Sequence, residues 1–340
     1  MTDSNAMRAQ LRQKERKKQQ ISLFELLPEK RMNYYDCHAD TLTEIPLTEN
    51  LMHNTCCLDL ARVRSFADHY TQIFAVWRDQ KEIRELQLRT EDVFWELYER
   101  ALRLMLEQSA YVEWCKDAAD MKKAHAQGKA AVFLSVEDVS VMGSFVDQIR
   151  DLGFRFAMLT WNYENTYGCG AVADQAKGLT KEGCALVKKL VCQKVVLDLS
   201  HLSDQGVEDV FGLTDHPVLV SHSNVRQLCD HPRNLKKEHL QELIRRKGLL
   251  GMNFYKEFVG KQPDLAQLLR HMDYVLELGG EDILAFGGDF DGCGNQMVQG
   301  ITGVQAVPYL KSEMEHVFGQ EAAEKIFWKN ADRFLTNYLN

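Results

Sequence analysis

Three histidines and three carboxylates, spread over most of the chain, carry the chemistry this sequence suggests. The segment NYYDCHADTLTEI, residues 33–45, sets His38 and Asp40 two positions apart. On an extended chain, residues i and i+2 point to one side, and Asp36 shares that side. Three polar groups on one strand face make a poor core and a good metal cradle. Glu137 in AAVFLSVE, His201 in KVVLDLSH, His222 in HPVLVSH and Asp289 in ILAFGGD each close an apolar run at its C-terminal end. Taken singly, each has a plainer use. A strand-end histidine is more often a satisfied structural group, Glu137 could cap a helix, and Asp289 in GGDFDG could belong to a tight turn. Taken together, they form a nitrogen–oxygen set suited to zinc or another borderline divalent ion. His38, Asp40, Glu137, His201 and His222 are too many ligands for one tetrahedral ion that keeps an open position. They suit two ions sharing a carboxylate. A pair of cations roughly 3.5–4 Å apart could hold a hydroxide between them as nucleophile and polarise a carbonyl. Asp289 lies outside that minimal set, where it could carry a proton from the water to a leaving amine.

Residues this far apart meet only if the strand ends share one rim. Eight apolar runs read as buried strands: 33–38, 70–77, 130–137, 155–161, 194–201, 216–222, 248–255 and 283–289. Near-continuous apolar strands indicate a parallel sheet covered by helices. Helical periodicity fills the gaps at 90–106, 180–193, 203–213, 236–246, 264–279 and 319–339. Strand–helix units in series predict an α/β fold, a (β/α)8 TIM barrel, whose strand C-termini open onto one mouth. The runner-up, an open doubly wound sheet, would usually show a glycine-rich turn after its first strand, and CHADTL has none.

The chain has 340 residues, 45% hydrophobic and 26% charged, enough for a large core. With 6 prolines and no Gly/Ser-rich linker, residues 32–340 read as a single domain. A net charge of -8 argues against nucleic acid as a partner. Residues 1–31 form a basic extension, with RAQLRQKERKKQQ at 8–20, that reads as a solvated helix or disordered arm. The SNA ahead of Met7 is the kind of scar an expression tag leaves, and Met32 would serve as a natural start. No signal peptide and no membrane span are expected, since no run reaches about 18 apolar residues. Nine cysteines without C-x-x-C pairing suggest a reduced, cytoplasmic protein.

The motifs DCHADTL, SVED, DLSHLS, SHSNVRQLCDHPRNL and GGDFDG, in this order and spacing, resemble the membrane (renal) dipeptidase family. These are zinc-dependent, amidohydrolase-type barrel enzymes, and the resemblance runs from about residue 33 to the C-terminus. It implies two zinc ions, with His38 and Asp40 on one, Glu137 bridging, and His201 and His222 on the other. It implies Asp289 as acid/base and Arg233 as the anchor for the free carboxylate of a dipeptide. A guanidinium fork suits that role, although without the resemblance Arg233 would read as a surface ion pair. Tyr255 would line the substrate pocket, or simply pack. The family tolerates a D-residue at the C-terminal position of the substrate. The expected partner is therefore a dipeptide or related small molecule, with a homodimer as an optional assembly.

The chain departs from the family in two places. Cys37 and Ala39 replace the usual Gly and Asn of the first motif, and alternation sends Cys37 toward the helix layer as packing. In MLTWNYENTYG, Trp161 stands where many relatives carry a histidine thought to contact the substrate; an indole donates one hydrogen bond but accepts no proton. The alternatives to a dipeptidase are a metal-dependent hydrolase of a lactone, N-acyl amino acid or phosphoester, and a catalytically silent metal-binding barrel.

Overall fold

The computed structural model describes residues 31–340. The basic extension, apart from Arg31, lies outside the described residues. Nine strands follow: β1 (Met32–Ala39), β2 (Ala67–Val76), β3 (Val112–Trp114), β4 (Ala130–Val136), β5 (Phe154–Met158), β6 (Val196–Asp198), β7 (Leu219–Ser223), β8 (Leu249–Met252) and β9 (Leu284–Phe286). Parallel pairing runs β1, β2, β4, β5, β6, β7, β8, β9 and back to β1, closing an eight-stranded (β/α)8 barrel. The ninth strand, β3, is the one the sequence did not suggest. It is three residues long and pairs with the start of β4, from Val112 beside Ala130 to Trp114 beside Val132.

Each barrel strand sends an apolar side chain inward. Cys37, Ile73, Phe133, Phe156, Val196, Leu219, Leu249 and Ala285 meet in one buried cluster, so the interior below the mouth is packed core. Ala331, Phe334 and Leu335 of the last helix, Asn330–Tyr338, join that cluster. Cys37 is packing, but inside the barrel rather than in the helix layer. The register of β1 against β2 slips between Asp36 and Ala39, and that slip overrides simple alternation.

The outer helices form where apolar periodicity places them: Thr90–Glu107, Lys181–Cys192, Asp204–Leu213, Lys237–Arg245 and Leu265–Glu277. Thr180, Ser203 and Asp264 cap three of them, each accepting a backbone N–H three residues on. The closing helix is broken into Gln320–Glu324, a π-helical turn Lys325–Lys329 and Asn330–Tyr338. In the wide turn, Phe327 reaches the rings of Phe286 and Tyr34, with centroids 4.8 and 6.1 Å away.

Away from the mouth, His125 is wedged under β1 and β2. Its Nε2 lies 3.0 Å from Thr71 Oγ1, and its ring stacks on His69 at 4.7 Å. Burial, reinforced by His69, pushes His125 down to about 4. The folded state therefore holds His125 neutral while the unfolded chain binds a proton below about 6.5. Stability from this group is present above that pH and is lost as pH falls toward 4. Wild type should lose roughly 2 kcal/mol more than His125→Gln between pH 7 and pH 5, measured by urea denaturation. Parallel curves for the two proteins would remove His125 as a source of acid sensitivity.

Candidate metal centre

Two distorted strands aim the histidines. In β1 the register slips just ahead of the mouth, and in β7 it slips between Val220 and Ser223. The distorted end of β7 leans over its neighbours. A Cβ on Gly251 would lie 1.9 Å from the Ser221 carbonyl oxygen, and one on Gly287 would lie 1.6 Å from it. Only glycine at both positions lets β7 approach so closely. The result brings the His38 and His222 rings into a stack, with centroids 3.8 Å apart. His201 and Asp289 sit in the left-handed region, with φ of 67° and 57°. That conformation is uncommon for residues with a side chain, and the surroundings hold it. The Asp289 amide donates to the His38 carbonyl at 3.1 Å, and the Ala171 amide donates to the His201 carbonyl at 2.7 Å.

The five expected ligands come together. Glu137 lies at the middle: its Oε2 is 3.2 Å from His38 Nε2 and its Oε1 is 3.0 Å from His201 Nε2. Asp40 Oδ2 is 3.4 Å from His38 Nε2, and His222 Nε2 is 2.8 Å from His201 Nε2. All five are buried. Asp289 joins at the edge, with Oδ1 3.8 Å from His38 Nε2.

The donor chemistry fits a cation. Both His38 nitrogens, Asp40 Oδ1 and Glu137 Oε2 are buried without a hydrogen-bond partner. Buried polar atoms are rarely orphaned in this way unless they serve something else. His201 Nδ1 is 2.8 Å from Asn162 Oδ1, and His222 Nδ1 is 2.8 Å from Ser221 Oγ. A neutral His201 donating to Asn162 turns a lone pair, not a proton, toward Glu137 and His222. Burial pushes His201 down to about 3, and pushes His222 well below the usual imidazole range with help from His38 and Arg233. Burial also raises Asp40, to about 6, with Glu137 adding to the rise. Burial opposes charge on His38 and Glu137 too, yet each holds the other charged: His38 lies well above its usual range and Glu137 below its own. Converging lone pairs and carboxylates of this kind are what an N/O-ligated divalent ion neutralises.

The remaining expected residues lie around this cluster. Asp289 Oδ2 accepts from Asn253 Nδ2 at 3.1 Å. Burial, then the nearby Asp40 and Glu137, push Asp289 up to about 7. Arg233 is 4% exposed and is not a surface ion pair: among the described residues it has no carboxylate within 4.0 Å. Its Nη2 donates to the His222 carbonyl at 3.2 Å, its Nε has no partner, and its guanidinium lies 5.3 Å from the Phe258 ring centre. Burial pushes it down to about 10, so it remains charged at neutral pH. Arg226 grips the carbonyls on both sides of Arg233, those of Pro232 and Asn234, each at 2.8 Å. Tyr255 packs edge-on against Phe258 at 4.9 Å, the ring on which the Arg233 guanidinium rests.

Sequence reasoning missed the supporting groups. Asp36 is no part of the cradle. It accepts from the Tyr34 hydroxyl and from the amides of His38 and Gly288, tying the end of β1 to the end of β9. Asp198 Oδ1 accepts from the Ser200 and Ser221 amides, each at 3.0 Å, and so fixes the two segments that carry His201 and His222. A carboxylate inside the otherwise apolar run KVVLDL was the available signal.

The sequence matches the profile of the membrane dipeptidase family (peptidase family M19) over residues 28–338. An "uncharacterized protein in pqqA 5'region" of Klebsiella pneumoniae is 28% identical over 265 residues, covering 72% of this chain and 96% of that protein. The dipeptidase tcpJ of Claviceps purpurea (strain 20.1) is 29% identical over 242 residues, 68% of this chain; the match spans 57% of that longer protein. A metallopeptidase from Rhodobacter sphaeroides, solved with a phosphinate mimic of the dipeptide L-Ala-D-Ala, has a TM-score of 0.80 at 23% identity. That match covers 92% of this chain and 100% of the solved one, and it bears on the fold. The chain belongs to the membrane dipeptidase family. It is a metallopeptidase, a hydrolase of the family whose activity is dipeptide cleavage and whose metal is zinc. No helix among the described residues is long and apolar enough to cross a membrane.

Proposed function

We propose that this chain is a binuclear zinc dipeptidase that takes its substrate by the free carboxylate. The observation that carries the reading is Arg233, a buried guanidinium with no carboxylate partner among the described residues, next to the ligand cluster. A buried unpaired charge is costly unless a ligand completes it. The C-terminal carboxylate of a dipeptide does so, with the planar fork of the guanidinium fixing its orientation.

In this reading His38 and Asp40 hold one ion, His201 and His222 hold the other, and Glu137 serves both. Bound zinc supplies Lewis-acid polarisation of the scissile carbonyl and lowers the pKa of water. The protein supplies everything else. Ser221 and Asn162 fix the imidazole orientations from behind. Asn253 holds Asp289 Oδ2, which leaves Oδ1 turned to the cluster as the atom that carries a proton. A water oxygen bonds to the carbonyl carbon, the C–N bond breaks, and Asp289 delivers the proton taken from that water to the leaving amine. Arg226 keeps the Arg233 loop in place through its two carbonyl contacts.

The zinc-loaded protein should release amino acids from dipeptides with either an L- or a D-residue at the C-terminal position. It should act far more slowly on the same dipeptides with an amidated C-terminus. Arg233→Met should raise KM about a hundredfold, with kcat changed much less, since a charge-assisted bidentate contact contributes roughly 3 kcal/mol. An unchanged KM would place the carboxylate elsewhere. Turnover of a lactone or phosphoester with every dipeptide left intact would replace this reading with that chemistry.

A further inference from the structure

Across the mouth from Arg233 stands a wall of aromatic rings that the proposed mechanism does not use. Trp77 follows β2 and Trp161 follows β5, one on each side of β4, which carries Glu137 at its end. Their ring centroids are 5.1 Å apart at an interplanar angle of 50°. Tyr163 meets Trp161 at 5.4 Å, nearly edge-on. Trp161 also lies 5.9 Å from the His201 ring at an angle of 29°, so the wall begins at the ligand cluster itself. Trp77 and Trp161 are half-buried and Tyr163 is 45% exposed.

The wall is braced. The Gly170 amide donates to the Tyr163 carbonyl at 3.1 Å, and the Val172 amide donates to that of Asn162 at 3.2 Å. A Cβ on Gly170 would lie 2.1 Å from the Trp161 carbonyl oxygen, so glycine is needed for this contact. Asn165 Nδ2 ties the same loop to the Leu159 carbonyl and to Asp138 Oδ1, at 2.8 and 2.7 Å. Rings held in place before a ligand arrives lose little freedom on binding.

Strand order gives the wall its direction. Around the closed ring, β4 and β8 are opposite each other. The tryptophans flank β4, whereas Arg233 follows β7 and rests on Phe258, which follows β8. The ligand cluster lies between. A dipeptide held by its carboxylate at Arg233, with its amide over the cluster, extends its amino-terminal residue toward the tryptophans. Three acids on these loops are already engaged: Asp79 accepts from the Lys81 amide, Asp138 accepts from Ser140 and Asn165, and Glu164 pairs with Lys177 at 2.9 Å. The wall therefore offers mainly π-faces and apolar edges, with the Trp77 Nε1–H as a buried donor that has no partner among the described residues.

We propose that Trp77, Trp161 and Tyr163 form a subsite for an apolar, preferably aromatic, side chain on the amino-terminal residue of the dipeptide. This inference rests on the dipeptidase reading and narrows its substrate class. Aromatic contacts and the area that they cover should favour Phe over Gly at that position by roughly tenfold to a hundredfold in kcat/KM.

The test compares Gly-Ala, Leu-Ala, Phe-Ala and Lys-Ala as substrates of the zinc-loaded full chain and of Trp161→Ala and Tyr163→Ala. The quantity read is the ratio of kcat/KM for Phe-Ala to that for Gly-Ala, which cancels any change common to both substrates. It should exceed ten in the wild type and fall several-fold or more in both variants. Calorimetry adds a readout independent of turnover. A phosphinate dipeptide mimic with a benzyl group at the amino-terminal position should bind the wild type at least tenfold more tightly than one with hydrogen there, and Trp161→Ala should narrow that gap. A wild-type ratio near one, a ratio that survives Trp161→Ala, or Lys-Ala as the best substrate would overturn the subsite while leaving the dipeptidase reading intact. A zinc-loaded protein that cleaves none of the four would overturn that reading and the subsite with it.

Discussion

Asp289→Asn is expected to keep its zinc and to lose about 10²–10⁴-fold in kcat, the range for removing a positioned acid/base. Asparagine has the shape of aspartate, and its amide oxygen can still accept from Asn253 Nδ2, as Asp289 Oδ2 does at 3.1 Å. What it cannot do is bind and release a proton. Binding should survive, because the proposed anchor for the substrate carboxylate is Arg233, so KM should stay within a few fold. Zinc content by elemental analysis, beside kcat on a dipeptide, separates the two roles open to this side chain. Asp289 Oδ1 lies 3.8 Å from His38 Nε2, and the atoms of His38, Asp40 and Asp289 all fall within 4.8 Å of one another. If the variant loses zinc and turnover together, Asp289 is a ligand and the proton carrier must be sought elsewhere. If it keeps both, Asp289 has no part in the reaction.

The parts of this molecule that were legible in its sequence are those governed by burial alone. Eight strands of a closed parallel barrel lie under helices on one side and pack inward on the other, so they read as continuous apolar runs. The polar residues that ended those runs were conspicuous for the same reason. The short β3 was not legible, since VEW has too few apolar positions to show a period. Nor was the aim of the histidines. His38 and His222 turn to the mouth because β1 and β7 slip register, and β7 has room to lean because positions 251 and 287 are glycine. Alternation alone sent Cys37 to the wrong side and Asp36 into the cradle. Asn162 and Ser221, which orient two of the imidazoles, belong to residue types too common on loops and strand ends to stand out. The burial of Arg233 was equally hidden. An arginine in DHPRN looks like a surface residue until the loop around it is seen to be held by Arg226.

The largest effect should come from Glu137→Gln, because the two oxygens of Glu137 serve different neighbours. Oε2 faces His38 at 3.2 Å and Oε1 faces His201 at 3.0 Å. Glutamine has the same size but only one oxygen; its other terminal atom is an NH₂ that donates. Whichever way the amide turns, one of the two imidazoles meets an N–H in place of an anionic oxygen. That side loses both a ligand and the charge that offsets the cation. In the proposed binuclear reading, zinc content should therefore fall from two ions per chain to one or fewer, and kcat should fall by at least about 10³, since the carbonyl polarisation and the water of lowered pKa would depend on both ions. Elemental analysis after dialysis gives the stoichiometry, and a dipeptide assay with added zinc tests whether mass action restores the loss. Partial rescue at high zinc is expected, because the other proposed ligands, His38 and Asp40 on one side and His201 and His222 on the other, are unchanged. Two ions retained at wild-type affinity would mean that Glu137 does not bridge, and the ligand cluster would then have to be divided between the ions in another way.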